Sequence, residues 1–291
     1  MTFLMDTIKG MLIGIANIIP GVSGGTMAVS LGIYDKLIGA VSGLLKNPRK
    51  SIAVLLPLVL GCGIGIVGFT YAVEYLLSHH TFVTCMAFVG LILGGIPVLF
   101  ASLKKELAKK SAGIGLSGIL AFALLFALAA FLPMMNAGDE VLKTFSVTPG
   151  TMLSLFFVGV IASATMVVPG VSGSLVMMIL GYYYGVINTI KSFLDALKAF
   201  DLGGLAHGFA LLMPFGIGVL LGIFLIAKLI TFLFEKFGVQ TYCAIFGLIA
   251  ASPFAVFYNT GALGSLSGGG QVILGVILAL LCGTVTWKMG G

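Results

Sequence analysis

The sequence has little charge. Lys, Arg, Asp and Glu make up 8% of the 291 residues, whereas apolar residues make up 59%. A soluble domain carries about 25% charged and about 45–50% apolar residues. No stretch has the composition of a separate soluble domain. We therefore predict a polytopic membrane protein whose function lies within its membrane-embedded part.

Patterns typical of metal sites and of catalysis are also lacking. The four cysteines fall in apolar segments without paired spacing, which argues against disulfides and against a zinc site. The sequence has no recognisable Ser/His/Asp arrangement, no paired carboxylates near its helix breakers and no G-x-x-x-x-G-K-[ST] loop. We expect no metal, no cofactor and no enzymatic activity, and interpret the chain as a carrier.

The net charge of +6 comes largely from lysines in short loops between apolar segments. This pattern is typical of membrane orientation and not of a nucleic-acid-binding patch. Six segments are long enough to cross a hydrocarbon core, which needs about 20 residues. They are approximately 53–77, 82–103, 112–134, 208–230, 240–258 and 270–288.

A hexapeptide with helix-breaking residues occurs twice inside other apolar stretches. Residues 20–25 read Pro-Gly-Val-Ser-Gly-Gly and residues 169–174 read Pro-Gly-Val-Ser-Gly-Ser; we call them the first and the second motif. Pro lacks a backbone donor and Gly weakens a helix, so each motif should open the helix. In lipid, the polar groups exposed in this way are tolerated only where they line a cavity or are buried in protein.

Each motif is predicted to be the tip of a re-entrant helical hairpin. The arm from Lys9 to Ile19 spans about 16 Å, about half of a ~30 Å hydrocarbon core. Tyrosines at Tyr34 and at residues 182–184 follow the motifs at the distance expected of interface anchors. With basic loops on the cytoplasmic side, the two hairpins enter from opposite faces and both termini are cytoplasmic.

The sequence around the motifs repeats as well. Matching residues recur 149 positions later near the motifs and 157 positions later in the two spans that follow; they include Gly10, Gly32, Tyr34, Pro57, Gly61, Gly65 and Gly90. We predict an all-α polytopic integral membrane protein built as an inverted repeat, each unit a re-entrant hairpin plus two transmembrane helices. The single transporter domain, 1–291, would contain repeat 1 at about 8–103, repeat 2 at about 152–258, a linking helix at 112–134 and a final helix at 270–288.

The motifs are the candidate binding site. Each would place a helix N-terminus near the midplane, where N–H groups, the helix dipole and hydroxyls suit an anion such as phosphate. The alternative is that Gly and Ser only allow close helix packing. The candidate substrate-binding residues are Asn17, Pro20, Gly21, Val22, Ser23, Gly24, Gly25, Thr26, Pro169, Gly170, Val171, Ser172, Gly173 and Ser174.

Four charged residues are candidates for gating or coupling. Asp35 and Lys36 follow the first motif and would form either a local interfacial pair or a gate at the hairpin mouth. Glu74 and Lys228 would each extend to the membrane interface in one interpretation. In the other, Glu74 would be a coupling carboxylate and Lys228 would pair with an anionic headgroup.

Residues 14–26, GIANIIPGVSGGT, followed by LGIYD at 31–35, closely resemble the bacterial PopT family of undecaprenyl-phosphate transporters. Residues 168–174 and 180–183 fit the same family, and the resemblance covers essentially the whole chain. It implies that the protein flips undecaprenyl phosphate, the C55 lipid carrier, from the outer to the cytoplasmic leaflet of the bacterial plasma membrane for recycling in peptidoglycan and envelope synthesis. The implied partners are this lipid and membrane lipids; a homo-oligomer is compatible with the sequence, and nucleic acid is not expected.

The residues themselves leave two other functions open. One is an ion-coupled carrier of a small soluble anion, which would use the same helix N-termini. The other is a membrane phosphatase acting on a lipid phosphate, which would depend on Ser23 or Ser172 although neither has a base nearby in sequence.

Overall fold

The computed structural model describes residues 3–19, 22–110, 113–135, 145–266 and 268–290. This part of the chain contains twelve α-helices, two short 3₁₀ turns and no strand. The helices are α1 (Phe3–Ile18), α2 (Gly24–Ser30), α3 (Tyr34–Ser42), α4 (Pro48–His79), α5 (Thr81–Leu93), α6 (Ile96–Lys110), α7 (Leu116–Phe131), α8 (Pro149–Val167), α9 (Gly173–Ile179), α10 (Tyr183–Ala199), α11 (Leu202–Thr260) and α12 (Gly269–Gly290).

Six helical segments in the described residues are long and apolar enough to cross a membrane: Pro48–His79, Thr81–Lys109, Leu116–Met134, Pro149–Val167, Leu202–Thr260 and Gly269–Gly290. Large apolar side chains such as Val67, Leu124 and Leu220 are exposed on these helices. A helix that is apolar on all sides and exposes such side chains is suited to lipid. The prediction of an all-helical, multi-pass membrane protein is therefore confirmed.

The structure has a kink between two of the predicted spans and differs from the sequence prediction at one helix. The predicted spans 208–230 and 240–258 lie on either side of a kink in α11, where two helices meet at the non-helical backbone of Phe237 (φ −126°, ψ 41°). At 1.5 Å per residue, the helix before Phe237 is about 52 Å long and the helix after it about 34 Å, so each can cross a ~30 Å core once. In addition, α8 has the length of a full span, although the sequence predicted only a hairpin arm there.

The described chain forms two compact units. Unit 1 comprises Met1–Met134, Val168–Val171 and Ala227–Gly291, and unit 2 comprises Met135–Val167 and Ser172–Ile226.

In unit 1, α1 packs on α4 through glycines. Gly10 faces the backbone of Leu58 and Gly14 faces that of Cys62, so residue numbers rise together and the two helices run parallel. Gly61 and Gly65 of α4 contact the backbone of α1 at Thr7 and Met11. A Cβ at any of these four glycines would clash with the backbone of the facing helix. Small residues at such a contact allow membrane helices to approach closely.

Unit 2 repeats this packing with α8 and the first part of α11. Gly159 faces the backbone of Phe215, while Gly218 and Gly222 face that of Phe156 and Val160. Gly159 of α8 lies 149 positions after its equivalent in α1, Gly10. Gly218 and Gly222 of α11 lie 157 positions after their equivalents in α4, Gly61 and Gly65. Hence α8 and α11 also run parallel.

The elements around the two motifs repeat in the same way. α2 and α9 each have seven residues, and each is followed by a glycine with positive φ, Gly32 (66°) and Gly181 (73°). Only glycine adopts such a φ readily, so the two turns are equivalent. α3 has 9 residues and α10 has 17, and this length difference accounts for the change of offset from 149 to 157.

The chain turns sharply after the second short helix. The axes of α9 and α10 differ in direction by 108° across the break that contains Gly181. The element order, the short helices and their turns are thus internally repeated. The opposite orientation of the repeats and the re-entrant course of the hairpins remain predictions.

Candidate functional site

The first motif begins α2. Ser23 is the N-cap of this helix, where its Oγ accepts a hydrogen bond from the Thr26 N–H at 3.1 Å. The hydroxyls of Ser23 and Thr26 also lie 3.0 Å apart. Serine is favoured at this position because its side chain satisfies one of the first N–H groups of the helix, which have no partner within the helix. The candidate residues Pro20 and Gly21 lie outside the described residues.

Asn17 links the preceding helix to the motif. Its Oδ1 accepts a hydrogen bond from the Gly24 N–H at 2.9 Å, although the Asn17 side chain is otherwise exposed. A Cβ at Gly24 would lie 2.8 Å from Asn17 Nδ2, so residue 24 has to be small for this contact to form. The predicted pair of Asn17 and the first motif is therefore close in space.

The structure brings the second motif to the first at one point within unit 1. The Gly170 N–H donates a hydrogen bond to Thr26 Oγ1 at 2.6 Å, and Thr26 is almost fully buried. Gly170 has a φ of 75°, a conformation that favours glycine. Ser23, Thr26 and Gly170 thus form one hydrogen-bonded group, and Asn17 and Gly24 form a second one beside it.

Four other candidate residues contribute packing instead of polar side chains. Val22, Gly25, Pro169 and Val171 are buried. Among the described candidate residues, the hydroxyl groups come from Ser23, Thr26, Ser172 and Ser174.

In unit 2, the second motif begins α9 in the same manner. Ser172 is the N-cap, and its Oγ accepts a longer hydrogen bond from the Leu175 N–H at 3.4 Å. The Ser172 and Ser174 hydroxyls lie 2.9 Å apart, and both residues are half-buried. Gly173 is buried, and a Cβ there would lie 2.6 Å from the carbonyl oxygen of Ala162 and would clash with the Met166 side chain.

The two motifs therefore differ in polar contacts. Met166 occupies the position equivalent to Asn17, and Leu175 the position equivalent to Thr26, so the second motif lacks that amide and that hydroxyl. In the first motif, Asn17 and Ser23 already accept the N–H groups of Gly24 and Thr26. An anion that binds these N–H groups has to replace the side-chain acceptors. Chemically, the site offers neutral hydrogen-bond donors suited to an anion.

The charged candidates near the first motif do not pair with each other. Asp35 Oδ2 accepts a hydrogen bond from the Tyr242 hydroxyl at 3.0 Å, whereas Lys36 forms an ion pair with Asp6 at 2.7 Å. Burial raises the pKa of the Asp35 carboxyl, and the hydrogen bond from Tyr242 opposes this shift. The interpretation of Asp35 and Lys36 as a local ion pair is wrong, because each side chain is directed to a different helix.

Glu74 and Lys228 are exposed on α4 and α11. Because both side chains are exposed, both can extend to the membrane interface, which is one of the two roles predicted for them. The proposed coupling roles remain predictions.

Sequence reasoning missed two buried charged residues in α1. Lys9 has no exposed surface, and its Nζ donates a hydrogen bond to the Leu31 carbonyl at 3.0 Å. Asp6 is 5% exposed and is the partner of Lys36. Their spacing of three residues, which puts them on one face of a helix, was the available signal.

Comparison with known proteins identifies the family. The family model described as "Undecaprenyl phosphate translocase-like" matches residues 13–265. A polyprenyl-phosphate transporter of Staphylococcus aureus is 29% identical over 257 residues, covering 87% of this chain and 86% of the relative. A polyprenyl-phosphate transporter of Vibrio cholerae is 28% identical over 218 residues, covering 70% of this chain and 66% of the relative. No solved structure matches the chain significantly.

The resemblance seen in the motifs is thus confirmed, and the names of the relatives indicate a transporter instead of an enzyme. The matched region contains Asn17, both motifs and the helices α2 to α10. The chain belongs to the undecaprenyl phosphate translocase-like family of polyprenyl-phosphate transporters.

Proposed function

We propose that the protein flips undecaprenyl phosphate from the outer to the cytoplasmic leaflet of the bacterial plasma membrane, so that the lipid carrier is recycled for peptidoglycan and envelope synthesis. The observation that carries the proposal is the hydrogen bond between Thr26 and Gly170, which connects the two motifs. A hydrogen bond between two helix-breaking segments gives a polar point of the kind expected at a transporter substrate site.

The proposed site addresses the main energetic obstacle to flipping. A phosphate headgroup that passes through hydrocarbon loses its hydration, and even one charge at the bilayer centre costs at least about 2.5–3.5 kcal/mol. The N–H groups and hydroxyls of the two motifs would replace part of that hydration. The prenyl chain is apolar and can remain in the lipid throughout.

We further propose that the motifs are tips of re-entrant hairpins of opposite orientation, which provide alternating access. The parallel packing of α1 on α4 supports this for the first hairpin, because both helices then start on the same side. Arg49 and Lys50 at the start of α4 favour the cytoplasmic side. α8 and α11 would start together on the outer side.

Residue accessibility tests this topology, since α8 is also long enough to cross fully. Thr151→Cys at the start of α8 and Lys191→Cys in α10 should both react with an impermeant thiol reagent added to the outside of cells. The background would be a variant without Cys62, Cys85, Cys243 and Cys282. Reaction of the two positions from opposite sides would show that α8 is a full span.

A proteoliposome assay tests the function. The wild-type protein should move labelled undecaprenyl phosphate between leaflets, and Gly173→Leu should abolish this movement because the larger side chain meets the Ala162 carbonyl. Uptake of a soluble anion that polyprenyl phosphate does not affect would favour the small-anion carrier. Release of inorganic phosphate that depends on Ser23 or Ser172 would favour a phosphatase.

A further inference from the structure

Three charged residues form a cluster at the base of the first hairpin. Lys36 of α3 forms an ion pair with the buried Asp6 of α1 at 2.7 Å. One turn further along α1, the fully buried Lys9 donates a hydrogen bond to the Leu31 carbonyl at 3.0 Å. We call Asp6, Lys9 and Lys36 the charged cluster.

The second repeat packs the equivalent positions without charge. Leu155, Val158 and Gly185 stand where the first repeat has Asp6, Lys9 and Lys36. Leu155 and Val158 are buried, and Leu155 belongs to an apolar group with Val186 and Leu211.

The charges are therefore not needed for helix packing. The backbone contacts of α1 with α4 are repeated between α8 and α11, so the same arrangement forms with apolar residues at these sites. Removing charged groups from water is costly, and replacing a buried ion pair by apolar residues is often neutral or stabilising. Asp6 and Lys9 are buried, whereas Lys36 is exposed. Buried charges in only one of two equivalent repeats indicate a role beyond stability.

The contact made by Lys9 indicates what that role is. Leu31 is the C-cap residue of α2, so the ammonium group satisfies a carbonyl at the end of this helix and lies at the negative end of its dipole. At the other end of α2, Asn17 accepts the Gly24 N–H. Both ends of α2 are thus attached to side chains of α1.

α9 lacks both attachments. Val158 has no donor to offer, Met166 replaces Asn17, and the C-cap residue Leu180 is 40% exposed, whereas Leu31 is fully buried. We infer that Lys9, supported by Asp6 and Lys36, is a positioning residue that fixes α2 as the static half of the substrate site, while α9 is the half that moves during transport. The inference rests on the proposed function only in that α2 and α9 carry the substrate-binding residues.

Hydrogen exchange of the full-length protein in lipid nanodiscs tests whether α2 is more rigid than α9, and the measurement needs no substrate. In the wild type, amides of residues 24–31 should exchange at least about tenfold more slowly than those of residues 173–180. Lys9→Met should remove this difference, and Lys9→Arg, which keeps the charge and donors, should retain most of it. Equal exchange of the two segments in the wild type, or no change in Lys9→Met, would overturn the inference.

The second repeat supplies a matched variant. Asp6→Leu, Lys9→Val and Lys36→Gly together introduce the residues found at the equivalent positions of unit 2. This triple variant should unfold close to the wild-type temperature, yet exchange residues 24–31 as rapidly as residues 173–180. If the triple variant does not fold, the comparison of Lys9→Met with Lys9→Arg tests the positioning role of Lys9 instead. Equal effects of these two substitutions would reduce Lys9 to a packing role and overturn the inference.

Transport kinetics separate this inference from the proposed function. In proteoliposomes with undecaprenyl phosphate, Lys9→Met should raise the apparent KM about tenfold or more with a smaller effect on the maximal rate, because the site is less often assembled. A fall in maximal rate at unchanged KM would contradict the positioning role. Failure of the wild type to transport this lipid would overturn the proposed function. The role of Lys9 would then be judged from hydrogen exchange alone.

Discussion

At the residue scale, the candidate site depends on which small and hydroxyl residues the two motifs contain. Thr26 supplies the hydroxyl that Gly170 contacts, and Asn17 supplies the amide that Gly24 contacts. Neither group has a counterpart in the second motif, where Leu175 and Met166 stand. The first motif is therefore defined by its polar contacts and the second chiefly by the close approach at Gly173.

Replacement of Thr26 tests the contact between the motifs. Thr26→Val keeps the shape of the side chain but leaves the Gly170 N–H without its acceptor, which should lower the free energy of unfolding by about 1–3 kcal/mol. Transport of polyprenyl phosphate should fall with it. Thr26→Ser, which keeps the hydroxyl, is the control and should lie closer to the wild type in thermal unfolding. Equal behaviour of the two variants would argue against a role for the hydroxyl.

Two glycines of unit 2 test the close approach in the second motif. Gly173→Ala brings a Cβ against the backbone of Ala162 and should destabilise the protein by about 1–3 kcal/mol and reduce transport. Gly216→Ala in α11 meets no atom within 4 Å and should be neutral or stabilising by up to about 1 kcal/mol. Thermal unfolding of both variants in the same detergent measures the difference. Loss of stability in Gly216→Ala alone would contradict this assignment.

At the element scale, glycine positions determine how the helices pack. α1 and α4 approach so closely that Gly10, Gly14, Gly61 and Gly65 have backbone of the facing helix where a Cβ would be. In lipid, apolar side chains gain little by leaving the solvent, so close packing and hydrogen bonds hold membrane helices together. The short helix α2 depends on this pair, because Asn17 and Lys9 of α1 attach its two ends.

Substitutions on two faces of α4 test this packing. Gly61→Ala should force α1 away from α4 and lower the free energy of unfolding by about 1–3 kcal/mol, with loss of transport because α2 moves with α1. Gly63→Ala lies on an exposed face with no atom within 4 Å and should be tolerated. Unfolding temperature and transport rate should fall together in the first variant only. A stable, active Gly61→Ala protein would show that the helix pair is not critical.

At the scale of the whole molecule, the proposed site contains neutral donors, so the charge of the phosphate is carried across the membrane. The described motif residues contribute amides and hydroxyls but no cationic side chain. Each elementary charge that crosses the membrane changes its free energy by about 2.3 kcal/mol per 100 mV. An inside-negative potential therefore opposes inward movement of the headgroup.

This charge movement predicts a dependence on membrane potential. A potential of 100 mV, negative inside, should shift the leaflet distribution of a singly charged headgroup about 50-fold toward the outside when no ion gradient is present. Proteoliposomes with an imposed potassium diffusion potential and labelled undecaprenyl phosphate provide the measurement. A distribution independent of the potential would show that a cation moves with the lipid, and proton or sodium gradients would then identify that cation.

Much of this organisation is readable from the sequence, because its causes are local. The helix breakers Pro20 and Pro169, the N-cap serines and the recurrent glycines are all signals carried by neighbouring residues in the sequence, and the structure has short helices that begin at both motifs. The spans in 53–77 and 270–288 follow from composition alone, as does the apolar character of α7.

Contacts between distant residues could not be predicted in this way. The bond from Gly170 to Thr26 joins positions 144 residues apart, and the Lys9 contact with Leu31 joins positions 22 apart. The bond from Tyr242 to Asp35 joins two segments, and nothing in the sequence of either one indicates the other.

The repeated order of elements, with different residues at equivalent points, has an evolutionary consequence. If the chain arose by duplication of an ancestral half, both copies once had the same residue at each of these positions, and the present differences record specialisation after the fusion. Mutational tolerance should then be uneven along the gene. Selection would preserve hydrogen-bonding side chains at Asn17 and Thr26 in the first half and a residue without a side chain at Gly173 in the second. A protein with the two halves exchanged would therefore not be functional.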